Sequence, residues 1–414
     1  MVRTTSSGPP FRLPGKHFAA ALAFLSLAAA GAVVQAPMLA LGGYSTMPVL
    51  AVVHLLTLGW LTTSIMGALY QFLPVAVGVP IASERVAHAS FALYVPGVLA
   101  FTAGLAAHRP MLLLAGVTAL VLGALSFLGN VSVTLRRAPK RDVLWWSLAW
   151  ALTFLAVTLL LGASLSANLH LAFLGVVRPI ALGAHLHIAL AGWVLLSMVG
   201  VSQRLFPMFL LSHGGSDRYA VWAMRLVAAG AGALALLHHV PIAGRWLPAL
   251  LIGAGVVAFV LQSREFYAHR HRQQLDAGMR LAAWALGGLA SALPLAVVVV
   301  AGRASPRVQV AYVALVLMSV SAFVVAHYFK IVPFLVWNHR FGPLAGTRPR
   351  PRVADLYSAR GAQLAVALLV TGTVVFVAAV ALGSAVGARL GASVFAAGAL
   401  VTAGQMLAIS RRTP

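Results

Sequence analysis

His185 and His187 stand two residues apart in GAHLHIALAGWVLLSMVGVSQRLFPMF, a run with no charge before Arg204. An earlier run, HLLTLGWLTTSIMGALYQFLPV, opens on His54 and carries the same kind of proline near its end. Neutral imidazole ligates haem iron, copper and other transition metals, so these positions could hold a metal or a haem. Two more imidazoles, His238 and His239, form a pair in LLHHVP. The competing reading is that each is a core histidine hydrogen-bonded to a neighbouring helix, and for His238 and His239 that they cap a helix end. That structural reading leads for His108 and His170 in outer loops, and for His88, His213, His269, His271 and His339 on the opposite side. It is weaker for His54 and His187, because two repeated imidazoles at lipid depth without nearby acids need a reason to leave water.

The elements that must position these groups follow from composition. The chain has 414 residues, of which 61% are hydrophobic and 8% charged. A soluble protein carries about a quarter charged residues, so this is an all-α polytopic membrane protein. Twelve apolar spans are expected, each near the ~20 residues that cross the hydrocarbon. They run over 17–39, 48–78, 86–107, 110–134, 143–166, 180–212, 219–240, 246–263, 281–302, 308–336, 360–384 and 388–409. The second, sixth and tenth are long enough to tilt or to project from the bilayer. No cysteine is present, which excludes disulfides, thiolate metal sites, cysteine-ligated iron–sulfur clusters and a CxxCH haem attachment.

Charge sets the orientation. With the N-terminus inside, only Arg109, Arg178, Arg245, Arg303, Arg307 and Arg389 of the 29 Lys and Arg fall outside. This positive-inside bias places both termini in the cytoplasm, with residues 1–16 as a basic cytoplasmic segment. The net charge of +23 then faces anionic lipid. The partners expected are membrane lipids and other respiratory or redox membrane subunits, with no nucleic acid. The membrane expected is the bacterial inner membrane. Glu84, Asp142, Asp217, Glu265, Asp276 and Asp355 all fall in inside loops. Ion-coupled transporters and proton pumps bury carboxylates in their spans; this chain has none there, and no proton pumping is expected of it.

The chain repeats itself. His54 is followed at five, six, thirteen and twenty residues by Gly59, Trp60, Gly67 and Pro74. His187 is followed at the same intervals by Gly192, Trp193, Gly200 and Pro207. Aligned through Pro333, the tenth span has Ala326 at the second Gly position and Val313 at the His position. The spacing predicts three pseudo-equivalent four-helix units over 17–134, 143–263 and 281–409 within one transmembrane domain. His54 and His187 then share a depth. Residues two apart on a helix point about 200° apart, so His185 and His187 face different neighbours.

Twelve helices in three arcs, a His on helix two, a His on helix six and a His-His pair after helix seven resemble subunit I of the haem–copper oxidase superfamily. The resemblance implies haem ligation by His54, copper ligation by His187 or His185 with His238 and His239, and an oxidoreductase activity. With it, His54 and His187 are the haem candidates, and His185, His238 and His239 the metal candidates. The haem implied is b-type, with copper as a second metal. Helix ten departs from the pattern: it lacks the family's His-x-His, and its one imidazole, His327, stands fourteen residues past Val313. No Tyr follows either helix-six His by four residues, since Ala189 and Ala191 stand there, and the proton-path Glu is absent. The stretch HIALAGWVLLSMVGVSQRLFPMFLLSHGG is also similar to the NnrS family of haem- and copper-containing membrane proteins linked to nitric-oxide stress, without that family's early Trp-His-Ala-His-Glu run. The function expected is a haem-binding membrane protein, redox- or oxygen/nitric-oxide-linked. The alternatives are a cofactor-free assembly protein or a transporter on the same scaffold.

Overall fold

The computed structural model describes residues 11–213, 215–237, 242–344 and 350–413. Twelve helices long and apolar enough to cross a membrane account for nearly all of it. In chain order they are Arg12–Ala40, Met47–Val77, Glu84–Ala106, Pro110–Arg136, Val143–Leu171, Gly175–Leu210, Arg218–Leu236, Trp246–Ala268, Ala277–Val300, Pro306–Leu344, Ala359–Leu382 and Ala385–Arg411. The chain is therefore a multi-pass integral membrane protein, as its composition requires.

The helices extend beyond the apolar runs where local chemistry allows it. The fifth span continues through His170 to Leu171 and stops at Ala172, which takes a left-handed φ of 48°. The Asn168 side chain closes the turn by accepting from the Leu174 backbone N–H at 2.6 Å. The sixth span begins at once, at Gly175. The tenth passes through Pro333 and runs on to Leu344.

The second, sixth and tenth spans, of 31, 36 and 39 residues, are the longest. They are also the most enclosed: 50%, 67% and 56% of their apolar windows are buried, against 28–44% in the other nine. They form the centre of the bundle and touch one another. Ser64 and the Tyr328 hydroxyl join the second to the tenth at 2.8 Å. The Trp193 indole donates to Thr62 at 3.2 Å, joining the sixth to the second. Phe206 meets Phe323, with ring centres 5.9 Å apart, where the sixth meets the tenth.

Small residues set the packing around this centre. A Cβ on Gly59 would stand 2.6 Å from Phe24 of the first span, and one on Gly192 2.6 Å from Phe154 of the fifth. The Gly67 and Gly200 positions meet His17 and Ser147 of the same two spans. The third and fourth spans, and the eleventh and twelfth, lie backbone to backbone at their glycines, the close approach that small residues permit in a bilayer.

Polar groups tie the helix ends on one side of the bundle. Asn130, near the end of the fourth span, accepts from Ser83 N–H at 2.9 Å and donates to the Ser83 carbonyl at 2.8 Å. Gln262 of the eighth accepts from Ala220 N–H and donates to the Ser216 carbonyl, both at 2.9 Å. Gln405 of the twelfth accepts from Ser358 N–H at 3.1 Å. Asp142 and Asp276 cap the fifth and ninth spans by accepting from the backbones of Trp145 and Met279. Each also pairs with a cation one span further on: Asp142 with Arg204 and Asp276 with Lys330, both at 2.5 Å.

Candidate histidine site

His54 and His187 each mark a change in helix geometry. After His54 the backbone widens to i→i+5 hydrogen bonding over Leu55–Thr62, and after His187 it does the same over Ile188–Leu195. Such widened turns are rare and concentrate at functional sites. The Leu58 carbonyl within the first one accepts from the hydroxyls of Tyr94 and Thr63, each at 3.1 Å. The tenth span is plain α-helix from Pro306 to Val336. There Val313 and Ser319 replace the His and the Trp, so the imidazole, the indole and the wide turn disappear together.

The hydrogen bonds fix which nitrogen carries the proton in both imidazoles. His54 Nδ1 is 2.7 Å from the Leu50 carbonyl, and His187 Nδ1 is 2.8 Å from the Gly183 carbonyl. A carbonyl only accepts, so Nδ1 carries the proton in each ring and Nε2 keeps its lone pair. Metal-binding imidazoles are oriented in this way. The His185 Nδ1 is buried and meets no hydrogen-bond partner.

The ring next to His54 is that of His185. Their centres are 6.5 Å apart and their planes differ by 31°. Phe101 of the third span stands edge-on to His54 at 5.1 Å. Gly162 of the fifth span makes room for His185, since a Cβ there would come within 3.0 Å of the ring. His187 turns to the tenth span, where it stacks on Tyr312 at 6.2 Å and 22°. The two imidazoles of the sixth span do face different neighbours. Equal depth in the repeat marks His187 as the counterpart of His54; contact instead brings His185 to His54.

The other imidazoles are spread widely. His238 and His239 lie outside the described residues. His108 is in a tight turn with a left-handed φ of 53°, and His170 is in the last turn of the fifth span. His327 is buried among Phe206, Phe209 and Phe323 and bonds the Phe323 carbonyl at 2.8 Å. Fourteen residues past Val313, it is roughly 21 Å deeper along the helix. At that side His88 bonds Lys16 at 2.8 Å, His213 meets His271, His269 bonds the Glu265 carbonyl, and His339 lies against Phe11.

Two residues come to notice only in three dimensions. Tyr312 precedes Val313, so the repeat register does point to its neighbourhood. His17 is 1% exposed, bonded to the Leu13 carbonyl at 2.8 Å, with Nε2 unpartnered beside Tyr70 and Phe91. Its place beside Lys16 at the start of the chain gives no hint of that burial. Among the described residues, no group of three or more His, Cys, Asp and Glu could hold a metal ion. What the described residues bring together here is a pair of imidazoles, His54 and His185. In comparisons with known proteins, no family model matches the chain and no curated protein matches it.

Proposed function

We propose that the chain is a haem-binding integral membrane protein, with b-type haem between His54 and His185. It is redox- or oxygen/nitric-oxide-linked and is not a proton pump. The observation that carries this reading is the facing pair. Two metal–nitrogen bonds of about 2 Å, with half of each ring added, span roughly 6–6.5 Å, and the ring centres stand 6.5 Å apart. His54 offers Nε2 with its lone pair, and the His185 ring stands beside it, so two neutral imidazoles are at hand as ligands. Bound there, haem would supply one-electron transfer. The chain's part is to orient the imidazoles through the Leu50 carbonyl and to keep water from the pocket with Phe101 and the apolar spans.

The same reading sets the architecture as three four-helix units with both termini in the cytoplasm of a bacterial inner membrane. Three features support it: the recurring Gly–Phe contacts, the amides at the ends of the fourth, eighth and twelfth spans, and the two Asp–cation pairs. His187 with Tyr312 forms a separate neighbourhood. A copper set of His185, His238 and His239, which the resemblance implies, would instead assign His185 to copper and leave His54 with His187 for haem.

The test is the absorption spectrum and haem content of protein expressed with ample haem, for the parent and for His54→Ala, His185→Ala and His187→Ala. The expected result is a Soret band in the parent, lost in the first two variants and kept in the third. Loss in His54→Ala and His187→Ala with retention in His185→Ala would move the site to the repeat-related pair. A colourless parent, or full retention in all three variants, would sink haem binding. A cofactor-free assembly protein is the second reading, favoured by the tenth span, where Val313 stands at the aligned ligand position.

A further inference from the structure

Carboxylates fasten the starts of the fifth and ninth spans, and the first span has none in that place. Asp142 and Asp276 pair with Arg204 and Lys330, which stand three residues before Pro207 and Pro333. Three residues before Pro74 stands Gln71, whose side-chain oxygen is buried without a partner. Asp142 lies five residues before Ser147, the residue that faces Gly200. Five residues before His17, which faces Gly67 in the same way, lies Arg12. A cation thus takes the place of the acid. The first span begins without a side-chain cap and without an acid in its first turn. The first acidic residue in the sequence is Glu84.

Cations gather at that end instead. Arg12 and Lys16 are one turn apart on one helix, where like charges repel. The Lys16 ammonium is 2.8 Å from His88 Nδ1 and 4.2 Å from the centre of the Phe91 ring, both on the third span. An ammonium only donates, so His88 Nδ1 accepts and its Nε2 carries the proton. Arg12, Lys16 and His88 are therefore three donors at one end of the bundle. The ion pairs among the described residues take in Asp142, Asp276 and Asp355, but not the exposed Glu84.

The flank of this cluster favours a lipid over a soluble anion. Leu27 is eleven residues past Lys16, and Leu99 is eleven past His88. Eleven residues return a helix to within about 20° of the same face, roughly 16 Å further along. Leu27 and Leu99 are 49% and 45% exposed. Both helices thus present exposed hydrocarbon between the cluster and the bilayer interior. We propose that an anionic phospholipid binds here, with its phosphate received by Arg12, Lys16 and His88 and its acyl chains along Leu27 and Leu99. The lipid brings to the first span the negative charge that Asp142 and Asp276 bring to the fifth and ninth. The site does not depend on the histidine pair or on any cofactor.

Native mass spectrometry of the delipidated full chain, titrated with phosphatidylglycerol and separately with phosphatidylcholine, tests it. One phosphatidylglycerol is expected to bind more tightly than any phosphatidylcholine. Each Lys or Arg near anionic lipid strengthens the attraction about fivefold. Arg12→Gln and Lys16→Met should therefore each raise the Kd for phosphatidylglycerol about fivefold. Arg136→Gln with Arg137→Gln removes two exposed charges elsewhere and should leave it unchanged. Arg12→Asp with Gln71→Lys installs the missing pair and should abolish the preference for phosphatidylglycerol. Far-UV circular dichroism matching the parent shows that each variant is folded. Glycerol phosphate, the soluble source of the same anion, should not displace the lipid at equal concentration. Equal affinity for the two lipids, or an equal loss in the Arg136 and Arg137 variant, would overturn the proposal. So would unchanged binding in both Arg12→Gln and Lys16→Met, a preference kept after the pair is installed, or displacement by glycerol phosphate.

Discussion

Lys330→Met should destabilise the protein several times more than Arg204→Met, although the two ion pairs are built alike. Each cation lies 2.5 Å from the carboxylate of an Asp that caps the preceding span. Burial sets them furthest apart. The Lys330 and Asp276 side chains are 12% and 22% exposed; those of Arg204 and Asp142 are 49% and 39% exposed. Removing one partner of a buried pair costs about 3–5 kcal/mol because the other charge is stranded. Asp276 is not wholly buried and keeps Arg272 at 3.5 Å, so about 2–4 kcal/mol is expected for Lys330→Met. An exposed pair contributes about 0–1 kcal/mol, which sets the scale for Arg204→Met. Unfolding in mixed micelles with increasing SDS, followed by far-UV circular dichroism, measures both. Equal losses, or a larger loss for Arg204→Met, would refute the argument from burial. A pH arm checks the sign. Burial alone would raise the Asp276 carboxyl, but Lys330, the Met279 N–H and Arg272 outweigh it and hold it below the usual carboxylate range. Its contribution is therefore full above the unfolded carboxylate value near 4 and fades as pH falls through the depressed folded value. The gap between parent and Lys330→Met should be full at neutral pH and narrow as pH falls through the depressed folded value of Asp276.

Gly59→Val and Gly192→Val should each lower stability by about 1–3 kcal/mol through overpacking against Phe24 and Phe154, whereas Gly287→Val, whose Cβ position meets nothing within 4 Å, should change it little; unfolding midpoints of the three variants compare them. Reporter fusions at Tyr44 and Ala172 should report the outside and fusions at Lys140 and Arg350 the cytoplasm, and a cytoplasmic signal at Ala172 would break the three-unit arrangement.

Much of the scaffold is legible in the sequence because membrane burial is written as composition. The low charge and the apolar runs give twelve spans, and run length marks the second, sixth and tenth as the long ones; that these are the central ones appears only in their burial. The ends are less legible: His170 reads as a loop residue, but Asn168 and the left-handed Ala172 carry the fifth helix past it. The histidines divide in the same way. Their spacing marks His54 and His187 as counterparts, and each does open a widened turn. Spacing cannot say that His185 is the ring beside His54, because that contact depends on the room left by Gly162 of the fifth span. His17 is invisible for a related reason, since its burial comes from Tyr70 and Phe91 on other spans.

The terminal amides have a consequence for the order in which contacts form. Asn130, Gln262 and Gln405 each close onto backbone 46 or 47 residues earlier in the chain. The Ser64–Tyr328 contact at the centre joins residues 264 apart. Loop closure scales with the logarithm of length, so the central contact carries about 1.5 kcal/mol more closure entropy than an amide contact. Local contacts of nearly equal length form first on that ground. Each pair of helices can thus fasten its own end before the chain that completes the centre has been synthesised. The three long helices then converge as partners of units already held shut, and the space between them is the last part of the molecule to take its shape.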